Sequence, residues 1–301
     1  MKQVFARWTA IIALTAIAPV CGKPAPKSSS QPIVGGGWDS WDTAVVELDL
    51  DHGSDVCTGT LIGKKTVLTA AHCLEEAESV VLVFGTKASD AKALRHTVTA
   101  TTWEIASNAV RTQDGDGHEI VRNDVGLVHF DSDTLDNGDP VKLHAVPIAV
   151  NNAKKFGRTM TLVGFGVTGA NADDAETRRQ LQKHNVKAYD ATLLRYDNPP
   201  GDASGIGDGD SGGPLFLTNG AIAGIMSTEL NGRGYAMRVD AYLDFIRGSM
   251  AVVSDDALAE VDSSDTALAD DGNTTDSEGN TVAVCTGIET DLPDCVDQPP
   301  T

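Results

Sequence analysis

Six consecutive residues, Gly209-Asp210-Ser211-Gly212-Gly213-Pro214, constrain this chain more than any other stretch. They set a serine among glycines, directly behind an aspartate, and read as a tight turn that presents a hydroxyl. Glycine admits backbone conformations closed to other residues and lets a second molecule come close. In such a turn the N–H groups of Gly209 and Ser211 can converge on one point, where an oxyanion would form. Taken alone, the six residues are equally a structural Gly-rich turn.

Three further motifs remove that ambiguity. Ile33-Val34-Gly35-Gly36 stands near the start of the chain, Thr69-Ala70-Ala71-His72-Cys73 follows, and Asn123-Asp124-Val125-Gly126-Leu127 comes next. A serine nucleophile needs a base, and the base needs an acid to orient it. His72, Asp124 and Ser211 supply all three types. The apolar run Val125-Gly126-Leu127-Val128 predicts a strand entering the core, which is where an orienting carboxylate would be buried.

The four motifs, in this order, resemble the chymotrypsin/trypsin-like serine proteases, and the resemblance spans residues 33–250. It implies an all-β fold: two six-stranded antiparallel β-barrels with a C-terminal helix and the active site in the cleft between them. His72 and Asp124 would belong to the first barrel and Ser211 to the second. It also implies the family's roles, with His72 as general base and acid, Asp124 as its orienter and Ser211 as nucleophile. Gly209 and Ser211 would form the oxyanion hole. Asp210 would receive a new N-terminus at Ile33, released by cleavage. Pro32 departs from the basic residue that usually precedes that cut.

The resemblance extends to cysteines and pocket. Cys57 and Cys73 match a family disulfide that tethers the histidine loop; Cys285 and Cys295 remain as a second pair. Gly205 falls at the base of the primary substrate pocket, Glu229 and Gly234 on its walls, and Ser227 offers its backbone to the substrate. A neutral base with glycine walls suits an apolar or aromatic side chain, whereas Glu229 or Asp208 would favour Lys or Arg, and both readings stay open. Gly207 replaces a cysteine that normally braces this pocket.

Short β-prone runs recur along residues 33–250: Val45 to Leu50, Thr60 to Ala70, Val80 to Phe84, Thr97 to Thr102, Val125 to Phe130, Thr159 to Gly164, Pro214 to Leu217 and Ala221 to Ser227. This pattern predicts a barrel or sandwich. Tyr242, Leu243, Phe245 and Ile246 fall at helical spacing and predict a helix over 240–250. Gly164-Phe165-Gly166-Val167-Thr168-Gly169 fits a dinucleotide-binding pattern but lacks an alternating βαβ setting, so no cofactor is expected. The other six histidines read as surface or partly buried, and no metal-ligand spacing is present.

Residues 1–21 read as a signal peptide, with Lys2 and Arg7 ahead of the apolar run from Trp8 to Val20. Residues 22–32 form a Pro/Ser-rich linker or propeptide. Cys21 sits where a lipoprotein carries its acylated cysteine; a secreted form and a cell-envelope form are both consistent. Residues 251–301 hold 13 acidic residues, no Lys or Arg and no aromatic residue, and read as a mostly disordered acidic tail. Net charge is −20, which argues against nucleic acid or anionic membrane as partners. No segment is expected to span a membrane. Expected partners are protein or peptide substrates and an activating protease. A catalytically silent binding protein on the same fold is the competing reading, favoured by Pro32 and Gly207.

Overall fold

The computed structural model describes residue 33 and residues 36–39, 42–85, 96–131, 145–150, 158–166, 177–202 and 204–262. The expectations for the signal peptide, the linker, Cys21, Cys285 and Cys295 lie outside the described residues.

After a short strand β1 (Gly37–Trp38), the first half of the chain supplies β2 (Val45–Leu50), β3 (Asp55–Leu61), β4 (Thr66–Thr69), β5 (Val80–Phe84) and β6 (His96–Ile105). A separate hairpin, β7 (Val110–Gln113) and β8 (Glu119–Arg122), precedes β9 (Gly126–Phe130). Six of these close into a barrel in the order β2-β3-β4-β9-β6-β5. Closure leaves no unpaired edge. The predicted run from Thr60 to Ala70 is two strands, because Ile62–Lys65 reverse the chain and Ile62 donates its N–H to Thr66 O at 3.0 Å.

The second half supplies β10 (Ile148–Val150), β11 (Arg158–Gly164), β12 (Arg179–Ala188), β13 (Leu193–Asp197), β14 (Pro214–Phe216), β15 (Ile222–Leu230) and β16 (Arg233–Arg238). Pairing runs β14-β11-β12-β13-β16-β15, and β15 pairs back to β14, which closes a second six-stranded antiparallel barrel. A 3-10 turn (Val239–Tyr242) leads into helix α1 (Leu243–Val252), the predicted C-terminal helix. None of the described helices is long and apolar enough to cross a membrane.

Leu48, Leu61, Val67, Leu82 and Phe130 fill the first barrel, and Leu162, Leu194, Leu215 and Met226 the second. Between the barrels, Leu68, Val125, Phe165, Ile225 and Met237 join Ile246 and Met250 of α1 in one buried cluster. Each such side chain withdraws apolar surface worth roughly 1.5–3 kcal/mol, so barrels and helix form one packed unit. A buried ion pair adds to the junction: Arg178 Nε donates to Asp39 Oδ2 at 2.7 Å.

Residues 251–262, read from composition as the start of the tail, are ordered. Asp255 is buried and accepts the N–H of Lys64 (3.1 Å), the N–H of Lys65 (2.9 Å) and the hydroxyl of Thr66 (2.8 Å), so it caps the β3–β4 turn. A last strand, β17 (Glu260–Asp262), pairs in parallel with β10. Acidic composition hid this because the one inward-pointing carboxylate satisfies three donors, and Leu258 and Val261 pack against the core.

Candidate active site

Strand pairing assembles the site. β4 and β9 are antiparallel neighbours, with Thr69 opposite Gly126. The residues just past the end of β4 therefore meet those just before β9. His72 lies on the 3-10 turn Ala71–Cys73 after β4, and Asp124 lies two residues before β9. His72 Nδ1 is 2.8 Å from Asp124 Oδ2, and the His72 backbone N–H donates to Asp124 Oδ1 at 2.9 Å. The Ser227 hydroxyl donates to Asp124 Oδ2 from the second barrel. Asp124 is fully buried. Burial works against its charge, but donation from the His72 ring, the Ser227 hydroxyl and the His72 N–H outweighs it, so its pKa is held below the usual carboxylate value. The Cys57–Cys73 disulfide ties the histidine turn to β3.

Ser211 arrives on the turn before β14, and the first barrel grips that turn. Thr58 of β3 donates its N–H to Ser211 O (2.8 Å) and its hydroxyl to Gly209 O (2.7 Å). Ser211 O also lies 3.8 Å from Cys73 Sγ, beside the histidine. Gly212 has φ +84°, and a Cβ there would overlap Thr69 Oγ1 and Thr58 O, so the close approach of the two barrels demands glycine. Gly209 has φ +96°. Among the described residues, neither the Gly209 nor the Ser211 N–H donates to a protein acceptor.

Asp210 is fully buried under this turn. Its carboxylate accepts N–H groups of Gly166 (2.8 Å), Gly207 (2.9 Å) and Ile33 (3.0 Å). Burial raises its pKa to about 7 against those three donors. Ile33 is itself 2% exposed and bridges to Gly205. Two glycines of the dinucleotide-like motif are explained here: a Cβ at Gly164 or Gly166 would overlap the Asp210 carboxylate.

A cavity of about 250 Å³ opens at Ser211, lined by Ile206, Gly207, Asp208, Ser227 and Glu229 among others. Gly205 lies behind it, with the Glu229 carboxylate packed where a Cβ would be. Gly234 stands opposite Glu229 in the β15–β16 pairing and packs against the Tyr196 ring. Glu229 Oε2 accepts from the Tyr196 hydroxyl (2.8 Å) and the Ile206 N–H (3.1 Å). Burial raises the Glu229 pKa, opposed by the ammonium of Lys183 and these two bonds. Sequence reasoning missed Thr58, Lys183 and Tyr196, which sit in strands without any local motif.

Asp114, Asp116 and His118 cluster in the β7–β8 turn, but Arg233 occupies the cluster, 2.9 Å from Asp114 and 2.7 Å from Asp116. Among the histidines outside the motif, His129 is fully buried, bonded to the Ser249 hydroxyl (2.8 Å) and Thr66 Oγ1 (3.2 Å).

A family model described as Trypsin matches residues 36–246. Trypsin epsilon of Drosophila erecta is 28% identical over 216 residues, covering 65% of this chain and 76% of that protein. An uncharacterized peptidase of Corynebacterium glutamicum (strain R) is 28% identical over 221 residues, covering 72% of this chain and 69% of its own. Among solved structures, a mutant of human heparin binding protein shares the fold with a TM-score of 0.56 at 20% identity, covering 73% of this chain and 97% of that one.

Proposed function

This chain belongs to the trypsin family of serine proteases, and we propose that it is a secreted serine endopeptidase that works through His72, Asp124 and Ser211. Family membership supports a peptidase acting on proteins. The observation that carries the finer reading is the buried, three-donor Asp124 held against His72 Nδ1, beside a turn that presents Ser211.

Ser211 Oγ attacks the scissile carbonyl carbon while His72 takes its proton. Asp124 fixes the tautomer that leaves the far ring nitrogen free to accept, and stabilises the imidazolium. The Gly209 and Ser211 N–H groups receive the oxyanion. His72 then protonates the leaving amine, and water hydrolyses the acyl-enzyme with His72 again as base.

Activation is part of the proposal. Cleavage after Pro32 by another protease turns the Ile33 N–H into an ammonium facing Asp210, where a peptide N–H now stands. The resulting charge pair orders the Ser211 turn. Secretion accords with the Cys57–Cys73 bridge, which persists in an oxidising compartment.

The test is intact-mass analysis after exposure to a serine-directed fluorophosphonate, using protein with Ile33 as its free N-terminus. One adduct that is absent in Ser211→Ala, together with loss of casein cleavage, is the expected result. Undiminished casein cleavage by Ser211→Ala refutes the reading.

A further inference from the structure

The cavity at Ser211 carries negative charge and no positive charge: Glu119, Asp208 and Glu229 line it, and no Lys, Arg or His does among the described residues. Two of these carboxylates stand on turn or hairpin edges. Glu229 differs. Its side chain leaves the wall strand β15 and reaches across to Gly205, the one residue type that leaves room for it.

The two Glu229 oxygens are in different states. Oε2 already accepts two hydrogen bonds, from Tyr196 and Ile206. Oε1 carries no hydrogen bond within the described residues. The arrangement is braced from behind. Tyr196 is fully buried, and Lys183 Nζ lies over its ring at 5.3 Å while donating to Ser204 O (2.7 Å) and to Asn198 Oδ1. Burial raises the Glu229 pKa, and the Lys183 ammonium, which is not bonded to Glu229, opposes that rise electrostatically. This polar brace lies beside Gly207, where no disulfide fixes the loop.

A substrate cation entering this cavity therefore finds one free carboxylate oxygen. An ammonium is a compact point charge that one oxygen can satisfy. A guanidinium is a planar fork that binds carboxylates best through two parallel bonds, and the second oxygen is taken. We propose, building on the endopeptidase reading above, that Glu229 selects a lysine side chain, in preference to arginine and to neutral residues, immediately before the scissile bond.

The experiment measures kcat/KM on matched peptides with Lys, Arg or norleucine at that position, for the Ile33-started protein and for Glu229→Gln and Tyr196→Phe. Norleucine keeps the length of lysine without its charge. The expected order is Lys above Arg, with Lys exceeding norleucine by on the order of 10²-fold, the scale of one hydrogen bond to a charged group. Glu229→Gln should collapse the Lys-to-norleucine ratio to within a few-fold of one. Tyr196→Phe removes one of the two bonds to Oε2 and leaves that of the Ile206 N–H, so it opens one acceptor position there and should raise Arg relative to Lys. The proposal is overturned by Arg equal to or above Lys in the parent, or by Glu229→Gln lowering all three substrates alike. Fluorophosphonate labelling runs alongside. A Ser211 adduct without lysine preference overturns the pocket assignment alone, whereas no adduct in the parent overturns the endopeptidase reading beneath it.

Discussion

Releasing Ile33 from the chain before it should change how stability depends on pH, by an amount the structure sets. In the intact chain the Ile33 nitrogen is a peptide N–H donating to Asp210 Oδ2. Burial raises the Asp210 pKa from 3.8 to about 7. Between about pH 4 and 7 the folded chain thus holds a proton that the unfolded chain has lost, and stability declines as pH rises across that window. A gap of about 3 pKa units corresponds to about 4 kcal/mol. An Ile33 ammonium places an opposite charge on the same carboxylate and restores the ionised form, so the Asp210 share of the decline disappears. Asp42, also raised to about 7 by burial and by the neighbouring Asp39 charge, titrates in both species and cancels in the comparison. The assay is urea unfolding from pH 4.5 to 7.5 on the intact Ser211→Ala chain and on Ser211→Ala beginning at Ile33. The stability difference should widen toward neutral pH by several kcal/mol. Asp210→Asn in the intact chain should remove the same share of the decline, leaving the share of Asp42. Parallel profiles for the two species would refute the reasoning.

Three further outcomes are expected. Asp124→Asn should lower kcat about 10⁴-fold, a magnitude taken over from the family's own template, with the fold retained by circular dichroism. Cys57→Ser opens a loop with a sequence separation of 16, which should cost about 3 kcal/mol in chemical unfolding of the oxidised protein. Asp255→Ala leaves two N–H groups and the Thr66 hydroxyl of the β3–β4 turn without their acceptor, for a loss of about 2–3 kcal/mol. Although burial opposes its charge, these donors hold the Asp255 pKa below its usual value. The stabilisation is therefore full above about pH 4 and fades as pH falls through the lowered pKa, so parent and variant should converge in acid.

Legibility followed local chemistry. The runs at Val45 to Leu50 and Val80 to Phe84 are strands as read, because their β-branched and apolar residues match a pleated, buried surface. β12 was not visible. Its sequence Arg-Gln-Leu-Gln-Lys-His-Asn-Val-Lys-Ala is polar, and its buried positions include Arg179 and Lys183, whose polar ends find partners only in the assembled barrel. His129 likewise reads in the sequence as surface or partly buried, yet it is fully buried, and its neighbours Thr66, Ser249 and Glu104 come from β4, α1 and β6.

The sequence by itself determined the turn at Ser211, the presence of a histidine and an aspartate in the motifs the family shares, the family, and a chain of short strands suited to closed barrels. Each rests on residues adjacent in the chain, where glycine conformation, side-chain type and apolar pattern act locally. Tertiary structure alone decided which donors surround Asp124 and Asp210, that Thr58 clamps the Ser211 turn, and that Glu229 folds onto Gly205 with Tyr196 and Lys183 behind it. Those contacts join residues tens to more than a hundred positions apart. Barrel closure and the packing of one barrel on the other bring them together, and the low dielectric they create sets the ionisation of the carboxylates.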